Sequence, residues 1–269
     1  MSNVKSKGTA LITGASSGIG AGYAQRLARR GHNLILVARD VARLNELAGR
    51  LRAAHGVAVL VLPADLTVEA GLAIVEQRLE NDPSIRLLVN NAGVAAFGDL
   101  SAMQPEVIGT LIQLNVLAAA RLAAAAARAF APRGEGAIIN LSSVLALVTE
   151  RFNPVYNASK AFVLSLTQSM RRELGPHGVY VQAVLPGATR TEIWSRAGAD
   201  ISTLPPEMVM GVDELVDAAL AGFDRHEAVT IPSLPEAADF AAYEQARAAL
   251  GPNLSRDHAA ARYAVELAA

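Results

Sequence analysis

The sequence predicts an α/β fold: a single doubly wound domain in which helices flank a parallel seven-stranded sheet. Three observations predict it. Seven short apolar, β-branched runs alternate along the 269 residues with longer helical patterns. Such strand–helix–strand repetition implies a parallel sheet with right-handed crossovers. The runs also lack strict apolar–polar alternation, as expected of strands buried on both faces. Finally, the first run passes into a glycine-rich turn that opens a helix.

The strands are expected at 9–13, 33–39, 57–65, 86–92, 136–143, 180–185 and 228–232, and the helices near 18–30, 40–54, 67–80, 104–131, 155–174 and 212–225. The first strand stops at Gly14 and the serines after it. The second ends at Ala38-Arg39, and Asp40 is a suitable N-cap for the helix that follows. The third ends at Asp65, the fourth at Asn90-Asn91-Ala92-Gly93, the fifth at Leu141-Ser142-Ser143 and the sixth at Pro186-Gly187. The stretch 107–131 is the most apolar, yet it contains Gln113, Asn115, Arg121 and Arg128, so it reads as a buried helix and not as a membrane span. The core is expected over about 8–233, with a loop insertion at about 187–211 and an alanine-rich helical extension at about 235–269.

Composition narrows the function. With 52% hydrophobic residues, 18% charged and a net charge of −1, the chain reads as a soluble globular protein with no basic stretch for nucleic acid. The absence of cysteine excludes disulfides, thiolate metal sites and cysteine nucleophiles. Five scattered histidines show no metal-ligand spacing. The apolar run Ala10 to Ile12 is too short for a signal-peptide core, so a cytoplasmic protein is expected.

In doubly wound folds, ligands bind at the carboxyl ends of the strands, where the motifs of this chain fall. Gly14-Ala15-Ser16-Ser17-Gly18-Ile19-Gly20 joins the first strand to a helix. Its glycines permit close approach of a pyrophosphate, and the helix amino terminus offers N–H groups and a positive dipole end. At the end of the second strand, an acid would bind the ribose 2′-hydroxyl of NAD and an arginine the 2′-phosphate of NADP. Ala38-Arg39 favours NADP(H) over NAD(H), although Asp40 follows. Asp65, before Leu66, suits either an adenine amino group or a helix cap. Asn91, Ala92 and Gly93 suit a wall beside the cofactor. Ser143 presents a hydroxyl able to stabilise charge on a substrate carbonyl oxygen. Tyr156 and Lys160 stand one turn apart on a helix. Lys160 is the only lysine beyond residue 7, and its charge is expected to lower the tyrosine pKa and make Tyr156 a usable acid or base. Asn115 reads as a helix kink or a satisfied buried amide.

Taken together, residues 8–195 resemble the classical short-chain dehydrogenase/reductase family. The resemblance rests on the segment 13–20, Asn90-Asn91-Ala92-Gly93, Asn115, Ser143 thirteen residues before Tyr156, and Tyr156-Asn157-Ala158-Ser159-Lys160, with Pro186-Gly187 and Thr191 after them. It implies a Rossmann fold and a catalytic tetrad of Asn115, Ser143, Tyr156 and Lys160. In that tetrad Lys160 also binds the nicotinamide ribose, and Asn115 positions a water that relays protons. It further implies that Pro186, Gly187, Thr189 and Thr191 contact the cofactor, that the pro-S hydride is used, and that the helix after Tyr156 serves a homodimer or homotetramer.

The expected activity is NADP(H)-dependent, reversible reduction of a ketone to a secondary alcohol, as in a carbonyl reductase. Two alternatives are a 3-oxoacyl-thioester reductase or hydroxy-acid dehydrogenase, and a non-catalytic NADP-sensing regulator. The expected substrate walls carry Phe97, Leu145, Phe152, Gly187, Trp194 and Met208 beside Ser143 and Tyr156, mostly apolar groups that suit an apolar small-molecule ketone.

Overall fold

The computed structural model describes residues 7–263; the first and last six residues of the expected domain lie outside the described residues. The chain divides into two compact units, one ending at Pro232 and one beginning at Ser233. In the first unit, β1 (Thr9–Thr13), β2 (Asn33–Ala38), β3 (Val59–Pro63), β4 (Ile85–Asn90), β5 (Gly136–Leu141), β6 (Val179–Val184) and β7 (Val229–Thr230) form one sheet. Their order is β3-β2-β1-β4-β5-β6-β7, and every pairing is parallel. The order reverses between β1 and β4, so a crevice opens at the carboxyl ends of these two strands.

The strands are apolar throughout because both faces are covered. Ala10 and Ile12 of β1, with Leu34 and Leu36 of β2, face a core built from Tyr23 and Leu27 of α1 (Gly18–Arg29), Leu44 and Leu51 of α2 (Val41–His55) and Leu215 and Leu220 further along the chain. Leu11, Ile35 and Val37 face the other core, with Leu72 and Leu79 of α3 (Glu69–Asn81) and Phe130. Successive residues of a strand point to opposite faces, so neither face can be polar.

The strands end earlier than the sequence predicts. Asp65, Asn91, Ala92, Ser142 and Ser143 are expected within strands but lie just beyond them.

The expected single helix over 104–131 is instead α4 (Pro105–Leu111), a π-helical turn (Ile112–Ala118) and α5 (Ala119–Phe130). A π-turn inserts one residue into a helix, and the buried Asn115 sits within it. The stretch from Pro105 to Arg133 is long and apolar enough to cross a membrane. Here its inner face packs in the core through Leu122, Ala126 and Phe130, and Arg121 pairs with Glu69 and Glu76 of α3.

The later elements of this unit are α6 (Pro154–Leu174), α7 (Ile193–Arg196) and α8 (Val212–Asp224). The expected loop at 187–211 thus contains a short helix, and its neck is closed: Arg190 donates to the Met210 carbonyl (3.0 Å) and Met210 to that of Ala188 (2.9 Å). The second unit holds α9 (Ala237–Ala249).

Candidate active site

Gly14 adopts a left-handed backbone (φ +66°) at the end of β1. A Cβ on Gly20 would stand 2.3 Å from the Gly14 carbonyl oxygen, so glycine alone lets the first turn of α1 fold back against the loop. Asp40 caps α2, accepting from Arg43 N–H, and Asn153 caps α6, but Ser17 makes no side-chain cap on α1. The first amides of α1 are thus left for an anion in the crevice. Ser16, Ser17 and Gly18 are partly accessible there, while Ile19 packs against the core. Asn91 closes the opposite side: its amide donates to the Thr13 carbonyl (2.8 Å), and the backbone N–H groups of Asn91 and Ala92 both donate to the Thr13 hydroxyl (2.9 Å). The residues present therefore fit a dinucleotide pyrophosphate.

Arg39 is well exposed, 3.9 Å from Asp65. Asp65 Oδ1 accepts from both the backbone and the hydroxyl of Thr67 (2.9 and 2.7 Å), which makes it a turn residue; Val68 is the N-cap of α3. Leu66 buries its side chain in the core.

Four polar side chains meet at the carboxyl ends of β4 and β5. Ser143 acts on the Tyr156 phenol and draws its pKa down, against the effect of burial. Ser143 also donates to the Pro186 carbonyl (3.4 Å) and accepts from Leu145 N–H (3.1 Å). Ser142, its neighbour, is structural: its hydroxyl donates to the Lys160 carbonyl (2.7 Å). Lys160 is buried, and its Nζ donates to the Leu141 carbonyl (2.9 Å) and lies 5.7 Å from the Tyr156 ring centre. Asn115 Oδ1 accepts from Val94 N–H and its Nδ2 donates to the Val94 carbonyl (both 2.9 Å), so the π-turn clamps the loop after β4. Gly93 lies between these two residues: a Cβ there would stand 3.2 Å from Asn115 Oδ1 and 3.5 Å from Lys160 Nζ.

Burial sets the protonation of the pair. It pushes Tyr156 up to about 12, against the opposing influence of Ser143, and pushes Lys160 down to about 8. The expected lowering of the tyrosine by the lysine charge is overturned, because desolvation of the phenolate outweighs every other influence on it. A tyrosine that stays neutral is what a proton donor requires.

The sequence reading missed Asn153. It is fully buried; its Oδ1 accepts from the N–H groups of Val155 and Tyr156 (3.0 Å each), and its Nδ2 donates to the Gly98 carbonyl (2.9 Å). The signal was available in Asn153-Pro154, an N-cap followed by proline at the first helical position. Asn153→Ala is expected to destabilise the fold by about 1–3 kcal/mol, through the lost cap and the orphaned carbonyl, read as a lower Tm.

Of the expected substrate residues, Phe97 and Trp194 come together, with ring centres 5.3 Å apart and Phe152 beside them. Leu145 sits in the short turn after Ser143. Gly187 accepts from the Thr189 hydroxyl, Thr191 reaches Gly18, and Met208 is exposed on a separate turn. A cleft of about 660 Å³ lies behind α1, against α2 and the loop around Trp194. It includes none of Asn115, Ser143, Tyr156 or Lys160.

Residues 8–202 match the family model for short chain dehydrogenases. A short-chain dehydrogenase from Sphingobium yanoikuyae in complex with NADPH is 56% identical, with a TM-score of 0.93 over 96% of this chain and 100% of that one. The bulky-bulky ketone specific alcohol dehydrogenase from Comamonas testosteroni is 51% identical, with a TM-score of 0.88 over 95% and 98%. An L-rhamnose 1-dehydrogenase (NAD(P)+) from Azotobacter vinelandii is 36% identical over 190 residues, 69% of this chain and 74% of that protein. The chain therefore belongs to the short-chain dehydrogenase/reductase family and is an oxidoreductase built on a Rossmann fold.

Proposed function

We propose that the protein is an NADPH-dependent ketone reductase that also runs in reverse as an alcohol dehydrogenase. The observation that carries this reading is the buried Lys160, 5.7 Å from the Tyr156 ring centre, with the buried Ser143 just beyond β5 and a glycine loop suited to pyrophosphate beside them. The two solved relatives, one in complex with NADPH and one specific for ketones, support it. Residues Gly14 to Gly20, Asn91 to Gly93 and Pro186 to Thr191 would hold the dinucleotide. When bound, the nicotinamide supplies the hydride that reaches the carbonyl carbon.

Ser143 donates to the substrate oxygen and stabilises its growing negative charge. Tyr156 then transfers its proton to that oxygen: the phenolic O–H breaks as the alcohol O–H forms. This runs downhill even from a phenol held near 12, because an alkoxide is a stronger base than a phenolate. The Lys160 ammonium stabilises the phenolate left behind, and Asn115 fixes the wall around it.

Cofactor choice follows from Arg39. Asp40 is the acid that would favour NAD, but its carboxylate accepts from Arg43 N–H (3.0 Å) as the cap of α2. Arg39→Ala is expected to weaken NADPH binding about 10–100-fold, the worth of a charged hydrogen bond, with little change for NADH. Titrating both dinucleotides checks this.

The exposed apolar side chains of Ile112, Leu117 and Phe162 support a homo-oligomer. The hydroxy-acid reading would need an arginine to hold a carboxylate; Arg196, on α7, is instead paired with Glu192 (2.6 Å). The activity is tested by following NADPH absorbance with a panel of ketones; no loss with any of them overturns the reading.

A further inference from the structure

Three aromatic rings from three separate crossovers meet near the start of the helix that carries Tyr156. Phe97 follows β4, Phe152 precedes α6 and Trp194 lies in α7. Their ring centres lie 5.3 Å apart (Phe97–Trp194), 6.0 Å (Phe97–Phe152) and 6.4 Å (Phe152–Trp194), the latter two edge to face. Only 4% of the chain is aromatic, so this one spot holds a quarter of its Phe, Tyr and Trp residues, including the single tryptophan. The rings are not core: Phe152 is 49% exposed and the other two are partly exposed.

Phe152 is also held against its own backbone preference. Its φ is +60°, the left-handed region where glycine is the unstrained choice. The conformation is imposed from both sides. Asn157 Nδ2 donates to the carbonyls of Thr149 (3.1 Å) and Arg151, and Asn153 fixes the next residue through Gly98 and the Tyr156 amide. A large exposed apolar side chain kept at a strained position, four residues before Tyr156, points to a ligand contact. Trp194 satisfies its indole N–H on the Thr189 carbonyl (2.9 Å), which leaves its ring faces for apolar contacts. Asn153 bonds to both Gly98, next to Phe97, and Tyr156 N–H, so the cluster is tied to the start of the catalytic helix.

We propose that Phe97, Phe152 and Trp194 form an aromatic subsite that receives a planar aryl substituent of the substrate. The enzyme then prefers a ketone bearing a phenyl ring to one bearing a cyclohexyl ring of similar bulk. The proposal rests on the ketone-reductase reading. Aromatic rings meeting edge to face gain more than their buried area alone provides.

The test compares 1-phenylpropan-2-one with 1-cyclohexylpropan-2-one, whose carbonyls are equally unconjugated. The expected ratio of kcat/KM is about tenfold in favour of phenyl. It should fall to near one in Phe152→Gly and in Trp194→Leu, while Phe152→Gly keeps Tm close to wild type, the relieved left-handed backbone offsetting the lost ring contacts. A wild-type ratio near one, or a ratio unchanged in both variants, overturns the subsite. A second readout needs no turnover. Trp194 is the sole tryptophan, so its emission reports binding directly. With NADP+ present, the phenyl ketone should perturb that emission at lower concentration than the cyclohexyl ketone. If neither ketone is reduced yet this difference appears, the reductase reading fails and the subsite stands; equal titrations overturn the subsite.

Discussion

Tyr156→Phe should lower kcat for ketone reduction by about 10²–10⁴-fold, the usual contribution of a positioned general acid. The substitution removes one oxygen. The ring stays, and the helix start is still capped by Asn153, so dinucleotide affinity and Tm should hold. The loss should appear in kcat and kcat/KM alike, as when an interaction made only in the transition state is removed. Steady-state kinetics beside a dinucleotide titration check both halves. Full turnover in the variant would show that the proton comes from elsewhere.

The raised pKa gives the pH sign. A phenol titrating near 12 is neutral across the working range, so the donor for reduction is always present. Alcohol oxidation needs the phenolate, so its rate should climb as pH rises, measured as NADP+ reduction with a secondary alcohol.

The fold was legible in the sequence because its signals are local. The unbroken apolar strands, the glycine turn at 14–20 and Asp40 before α2 each specify an element without reference to the rest. What escaped depends on tertiary partners. The π-turn at Asn115 forms where its amide can clasp both backbone groups of Val94, twenty-one residues away. Asp65 is the exception: its turn rests on Thr67, only two residues on, so that signal was local. Asn153 carried a local cap signal before Pro154, but its bond to Gly98 is a contact that spacing cannot show. The sign of the Tyr156 shift was missed for the same reason. Helical spacing brings a cation near the phenol, but burial, which spacing does not report, is the stronger influence.

Burial also makes Lys160 a costly residue. It carries the ordinary lysine value in the unfolded chain and about 8 in the folded one, so between those values the unfolded chain binds more protons. Stability therefore rises with pH across that window. Below pH about 8 the charged lysine costs on the order of 3 kcal/mol, and the cost fades as pH rises from there to the unfolded value. Removing the charge should recover part of this. Lys160→Met loses the hydrogen bond to the Leu141 carbonyl, which offsets some of the gain. Its Tm should still match or exceed wild type at pH 7, with that advantage shrinking as pH rises from 8 to 10, while turnover falls steeply. A large drop in Tm at pH 7 would show that the lysine is structural. Lys160→Arg separates charge from shape. The guanidinium keeps the charge, but Gly93 and Asn115 crowd the Nζ position, and a planar fork cannot take the place of a compact ammonium. Most activity should be lost in that variant as well; near-wild-type turnover would show that a positive charge alone is enough to stabilise the tyrosine.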